Sequence, residues 1–305
     1  MAFLPLDLFS HPPSHFTGGV VTVGNFDGVH RGHAALIQAN IRLARQLGGP
    51  SIAVTFDPTP LSLLQPALVK PPLSLLEDRV AWLHELGVDH VVALKTEAGL
   101  LSLSAESFFE DVLIGQFRAR GVVEGFNFRF GRGRVGDNAT LQTLARQFGV
   151  EFVEVPAHTD NGEAVSSSRV REAINSGDVT LAAQLLGRPY QLRGVVVGGA
   201  KRGRTIGFPT ANLGDVRTLI PRDGVYAVHG APGIGAMNIG PNPTFAEANQ
   251  KLEVHFVDYS GDLYGQELKV EFLARLRDTR QFNGVESLVE QLHRDVAACR
   301  AVAGS

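Results

Sequence analysis

Gly24-Asn25-Phe26-Asp27-Gly28-Val29-His30-Arg31-Gly32-His33 joins a β-branched run, Gly19 to Val23, to a stretch with Ile37, Ile41, Ala44 and Leu47 at helical spacing. The segment therefore reads as the turn from a first strand into a first helix. A helix start presents unpaired N–H groups and a partial positive charge, and Gly24, Gly28 and Gly32 let a ligand approach the backbone closely. His30 and His33 can both lie over an anion bound there, donating hydrogen bonds that strengthen as charge builds on a phosphorus centre under attack. A solvated cap and half of a zinc site are the competing readings. The second lacks cysteine partners and a third ligand at a recognised spacing.

Outward from this turn, Ser51 to Phe56, His90 to Leu94, Gly121 to Glu124 and Glu151 to Val155 read as further strands, with helices over Gly32 to Leu47, Leu75 to Leu86 and Ala105 to Phe117. Near-continuous apolar strands alternating with helices predict a Rossmann-like α/β domain, a parallel sheet covered on both faces. Ligands bind such sheets beyond the carboxyl ends of the strands. From about Leu185 the helices drop out. Gln191 to Val197, Val225 to His229, Gly235 to Ile239, Leu252 to Asp258 and Leu268 to Leu273 follow one another across turns such as Asp223-Gly224, and a last helix spans Val285 to Arg300. An antiparallel β-barrel closed by a C-terminal helix is expected. The two domains are placed at 1–184 and 185–305.

A chain of 305 residues has room for two cores without a metal or disulfide staple. One cysteine, Cys299, excludes an internal disulfide framework and points to a reducing compartment, here taken as the cytoplasm. The opening MAFLPLDLFSHPPSHF lacks a basic n-region and is interrupted by prolines, and no run approaches the ~18 apolar residues of a membrane helix. The net charge of -3 gives no reason to expect nucleic acid or an anionic membrane as partner. The 34 glycines are not periodic; they cluster in loops.

Gly131, Gly133 and Gly136 satisfy GxGxxG, but a Phe-rich loop separates them from the preceding strand, and the oxidoreductase reading is set aside. In Ser166-Ser167-Ser168-Arg169-Val170-Arg171, serines suit a helix cap, yet arginines in a first turn oppose the dipole unless an anion sits nearby. Gly198 to Leu213 is glycine-rich and basic, able to cradle phosphates through backbone N–H groups at Gly199 and Gly207 with Lys201 close by, though it is not a Walker loop. A solvated hairpin with a basic tip is the alternative, as is a barrel that grips RNA. In Leu252 to Phe256 the period-2 pattern sets Glu253 and His255 on the face opposite Leu252, Val254 and Phe256. Glu253 is thus available to accept a proton from a hydroxyl.

HxGH after a strand resembles the adenylyl-transferring nucleotidyltransferases, and GNFDGVHRGH resembles the bacterial bifunctional riboflavin kinase/FAD synthetases along essentially the whole chain. The resemblance implies phosphorylation of riboflavin by ATP and adenylylation of FMN to FAD, with Mg²⁺ as cofactor, small-molecule substrates only, and an undetermined oligomeric state. A chain with one active module is the alternative. His30 and His33 are implied at the reacting phosphorus, and Gly24, Phe26, Asp27 and Gly28 at the nucleotide. Ser166, Ser168 and Arg171 match the phosphate-holding ISSTxxR element, with Ser168 in place of threonine. Asn127, with the aromatic side chains Phe56 and Phe128, is implied at the flavin, and relatives often carry histidine at Thr59. Gly207-Phe208-Pro209-Thr210-Ala211-Asn212 resembles the kinase signature, implying Thr210 and Asn212 at Mg²⁺ and ATP, Glu253 as the base and Arg277 at nucleotide or flavin.

Overall fold

The computed structural model describes residues 2–8, 10–199, 202–242 and 247–304. By packing, the chain forms two compact units, Met1–Lys70 with Ser74–Ser166, and Pro71–Leu73 with Ser167–Ser305.

The first unit is a six-stranded sheet. Strands β1 (Ala2–Leu6), β2 (Val20–Val23), β3 (Ser51–Asp57), β4 (His90–Lys95), β5 (Gly121–Gly125) and β6 (Glu151–Val155) lie in the order β1-β4-β3-β2-β5-β6. Every neighbouring pair is parallel. Helices α1 (Arg31–Leu47) and α2 (Leu76–Glu85) place Leu36, Ile37, Trp82 and Leu83 in the core on one face. Phe108, Phe109, Val112 and, from α3 (Asn138–Phe148), Leu141 fill the other. A two-strand hairpin, β7 (Thr159–Asp160) with β8 (Glu163–Ala164), follows the sheet.

Two details depart from the sequence expectation. Six strands replace five, because β1 pairs with the edge of β4 despite Pro5; an edge strand tolerates a residue without an N–H. The helix expected over Ala105 to Phe117 is a single α-turn, Ala105–Ser107, running into a wider π-helix, Phe108–Gln116.

The chain order of strands reverses between β2 and β5, which makes the crevice beyond their carboxyl ends the natural ligand position. Their ladder is short, Val20 opposite Gly121 and Val21 opposite Val122. Beyond it the Val23 N–H donates to the Glu124 carboxylate at 2.7 Å, so a side chain takes over where the strands part. Glu124 is 1% exposed, and burial pushes its carboxyl well above the usual range. The charged form is therefore the disfavoured one in the fold, so this residue's contribution to stability is full at acid pH and is lost as pH rises toward its folded pKa. Glu124→Gln keeps an acceptor and removes the charge. Its melting temperature is expected to exceed the parent's at pH 8, by about 2–4 °C per kcal/mol relieved, and to converge with it near pH 4. A pH-independent difference would contradict this assignment.

In the second unit, α4 (Ser167–Ser176) and α5 (Val179–Leu186) precede a closed barrel of β9 (Gln191–Val197), β10 (Ala211–Gly214), β11 (Gly224–Gly230), β12 (Gly233–Asn242), β13 (Glu247–Phe256) and β14 (Glu267–Arg277). All its pairings are antiparallel, in the order β10-β13-β12-β11-β14-β9 with β9 closing on β10. Leu192, Tyr226, Met237, Val254 and Phe272 are buried there. Strand β10 was not expected, since it is four residues long and lies inside the glycine-rich basic stretch. The C-terminal helix α6 (Val285–Ala303) is tied down by Asp295, which accepts a bidentate pair from Arg277 Nε and Nη2 at 2.9 and 2.7 Å. Cys299 is buried with its thiol on the Gly235 carbonyl, and burial pushes it up to about 11. Among the described residues no helix is long and apolar enough to cross a membrane.

Two candidate active sites

In the first unit, the turn after β2 is held from beneath. The Phe26 ring is fully buried, and a Cβ at Gly24 would meet it at 3.2 Å. Phe26 and Val29 have φ of 46° and 39°. A β-branched residue there is strained, a cost that persists only where surrounding contacts over-determine the backbone. Those contacts are present. Asp27 accepts from the Ser74 N–H and hydroxyl, both at 3.1 Å, and the Gly28 N–H donates to Ser74 Oγ at 2.9 Å. Arg79, 5% exposed, donates to Thr55 Oγ1 at 3.1 Å. Burial lowers its pKa, opposed by the charges of Asp27 and Asp57. Asp27 and Phe26, expected at the nucleotide, use their side chains to brace the turn. Ser74 and Arg79 were not anticipated.

His30 caps α1. Its Nδ1 accepts the His33 N–H at 3.2 Å, which puts the neutral ring's proton on Nε2. The His33 ring stacks on it at 3.7 Å and 15°, with Phe26 edge-on at 5.3 Å. The two imidazoles are therefore brought together as expected, on a helix start. Gly32 is needed for close approach, since a Cβ would lie 3.0 Å from the Val165 carbonyl. Ser166, next along the chain, is the last residue of this unit; Ser168 and Arg171 lie in the first turns of α4, with Arg171 Nη1 on the Ser167 carbonyl at 3.2 Å.

Beyond β5, Asn127 is exposed, and Phe128 stacks on Phe130 at 5.5 Å, half-buried against the same core as Phe56. The GxGxxG glycines serve packing: Cβ atoms at Gly131 and Gly136 would fall 2.6 and 2.8 Å from Ala105. Helix α3 begins only at Asn138, twelve residues or more past the strand, and is capped by Asp137.

In the second unit, the register sets Asn212 of β10 directly opposite Glu253 of β13, which in turn faces Asn238 of β12. Directly opposed residues share a face, so a carboxylate lies between two amides. A Cβ at Gly199 would sit 2.3 Å from the Asn212 amide and displace it; at Gly203 one would strike the Phe208 carbonyl at 2.2 Å, and Gly207 has φ +86°. Lys201 lies outside the described residues. Next to Thr210 is a cavity of about 190 Å³ lined by Val196, Arg204, Phe256, Leu263 and Tyr264; the sequence reading did not find this cavity. Arg277, expected at nucleotide or flavin, directs its fork at Asp295 and lies over the Phe282 ring at 5.8 Å.

Fold and geometry together set out two units: a parallel sheet with paired histidines at a helix start, and a closed antiparallel barrel with a carboxylate opposite an amide. Residues 13–169 match the family model for FAD synthetase and residues 186–303 that for riboflavin kinase. The chain is 37% identical to the bifunctional riboflavin kinase/FMN adenylyltransferase of Escherichia coli K12, over 94% of this chain and 93% of the relative. It is 39% identical to the protein of the same name from Pseudomonas fluorescens, over 95% and 94%. A crystal structure titled as a macrolide-efflux protein from Streptococcus pneumoniae superposes with a TM-score of 0.86 at 33% identity, covering 98% and 99% of the two chains. The chain belongs to the bifunctional riboflavin kinase/FMN adenylyltransferase family. It is a riboflavin kinase and an FMN adenylyltransferase, with riboflavin, FMN and ATP as substrates.

Proposed function

We propose that residues 1–184 carry the adenylyl transfer and residues 185–305 the phosphorylation. The observation that carries this division is a chemical contrast: stacked imidazoles at a helix start in one unit, a carboxylate opposite an amide across two paired strands in the other.

In the barrel, the riboflavin 5′-hydroxyl is protonated at neutral pH and needs a proton acceptor; Glu253 takes that proton as the oxygen attacks the γ-phosphorus of ATP and ADP leaves. Thr210 and Asn212 supply a hydroxyl and an amide oxygen, hard neutral donors suited to Mg²⁺, and the missing Cβ at Gly199 leaves room beside the Asn212 amide. Bound there, Mg²⁺ would neutralise phosphate charge. Gly199, Lys201 and Gly207 complete the phosphate cradle, and the cavity beside Thr210 takes the adenine between Leu263 and Tyr264.

In the α/β unit the nucleophile is the phosphate of FMN, already ionised at neutral pH, so no base is required. Its oxygen attacks the α-phosphorus of a second ATP and pyrophosphate departs. His30, through Nε2–H, and His33 stabilise the charge on the α-phosphate, while the turn Gly24–Gly28 and Ser166 hold the triphosphate. Asn127, Phe56 and Phe128 receive the flavin.

Labelled ATP tests this scheme. With riboflavin as substrate, γ-labelled ATP puts label into FMN and FAD, whereas α-labelled ATP labels FAD alone. Label from the α-position in FMN, or none from the γ-position in either flavin, would overturn it.

A further inference from the structure

The structure assigns His255 a positioning role in the kinase turn, an inference that rests on the barrel being the riboflavin kinase. Strand β10 meets β13 through two pairs, Ala211 with Val254 and Asn212 with Glu253. Continuing that register would bring Thr210 opposite His255, but no further pairs form. Pro209, the residue before Thr210, has no N–H and cannot donate to a ladder. At this point the His255 ring takes over: its Nδ1 lies 2.8 Å from the Pro209 carbonyl oxygen. A carbonyl only accepts, so Nδ1 carries the proton, and the bond forms whether or not Nε2 is also protonated.

The ring cannot turn away easily. Phe208, buried within the same turn, meets His255 edge-on at 5.1 Å and His293 of α6 at 5.0 Å. Phe208 is itself anchored by its N–H on the Gly203 carbonyl at 2.8 Å. Thr210 therefore lies between the ladder end at Ala211 and the side-chain tether at Pro209. Without the tether, Thr210 keeps its chemistry and loses its fixed distance from Glu253. His255 thus acts through the two residues proposed to hold Mg²⁺-ATP and touches neither substrate.

Side-chain geometry supplies a sharp test. The Nδ2 of asparagine occupies the place of histidine Nδ1, whereas the amide of glutamine reaches toward the position of Nε2. In the full chain, His255→Ala is expected to lower kcat/KM for Mg-ATP in FMN formation about 10–100-fold, with KM for ATP raised, as losses of an outer-shell hydrogen bond do. His255→Asn restores most of this and His255→Gln does not, while FAD formation from supplied FMN is unchanged in all three and reports that the α/β unit is folded, and the activity of His255→Asn reports that the barrel accepts a substitution there. Kinase kinetics of His255→Ala equal to the parent's would overturn the assignment. So would equal losses in the Asn, Gln and Ala variants with FAD formation intact. A parent protein that makes no FMN from riboflavin would instead remove the kinase reading itself.

Discussion

His33→Ala is expected to cut FAD formation from supplied FMN by about 10²–10³-fold, the cost of one preorganised donor to a developing oxyanion, and to leave riboflavin phosphorylation at the parent's rate. The effect is on kcat, because the imidazole contributes most when charge accumulates on the α-phosphorus. Helix α1 tolerates alanine well and His33 is not its cap; His30 is. The variant therefore loses a ring stacked at 3.7 Å on His30 and edge-on to Phe26 at 5.3 Å, and keeps the cap of the helix. Steady-state assays of each half-reaction, run separately, make the comparison. Equal loss of both activities in a folded variant would argue against the assignment.

Glu253→Ala should do the reverse. Phosphorylation of riboflavin is expected to fall about 10²–10⁴-fold, the usual contribution of a positioned base, while FMN is still adenylylated. Glu253→Gln separates proton acceptance from scaffolding: it keeps hydrogen-bonding capacity between Asn212 and Asn238 but cannot take a proton. It should be as slow as the alanine variant with a KM for ATP near the parent's. Retention of kinase activity by the glutamine variant would remove Glu253 as the base.

The parts of the molecule readable from sequence are those written in local periodicity. Strands β2 to β6 alternate with helices, and the glycine turn between β2 and α1 shows its position, and the paired histidines at the helix start, within ten residues. The barrel followed from strand after strand without intervening helices. Features that depend on distant partners were not legible. Ser74 and Arg79 brace the first turn from 47 and 24 residues beyond their partners Asp27 and Thr55, and Glu124 reaches Val23 across 101. The edge strand β1 was hidden by Pro5, and β10 by the basic glycine-rich stretch around it. Arg277 is expected at nucleotide or flavin from the resemblance of its segment, and an arginine before a helix offers no clue that Asp295, on the helix itself, will meet it. The cavity beside Thr210 is likewise a product of barrel closure, assembled from β9, β13 and the loop through Tyr264.

On this proposal one chain houses two separate transfer sites, joined in function by the FMN that leaves one and enters the other. Mixing the His33→Ala and Glu253→Ala proteins tests it most directly. Alone, with riboflavin, ATP and Mg²⁺, the first should stop at FMN and the second should leave riboflavin unconverted. Together they should produce FAD, at a rate that rises with the concentration of either protein. A mixture of the two folded variants that makes no FAD, or a Glu253→Ala protein that makes FAD from riboflavin unaided, would contradict the account.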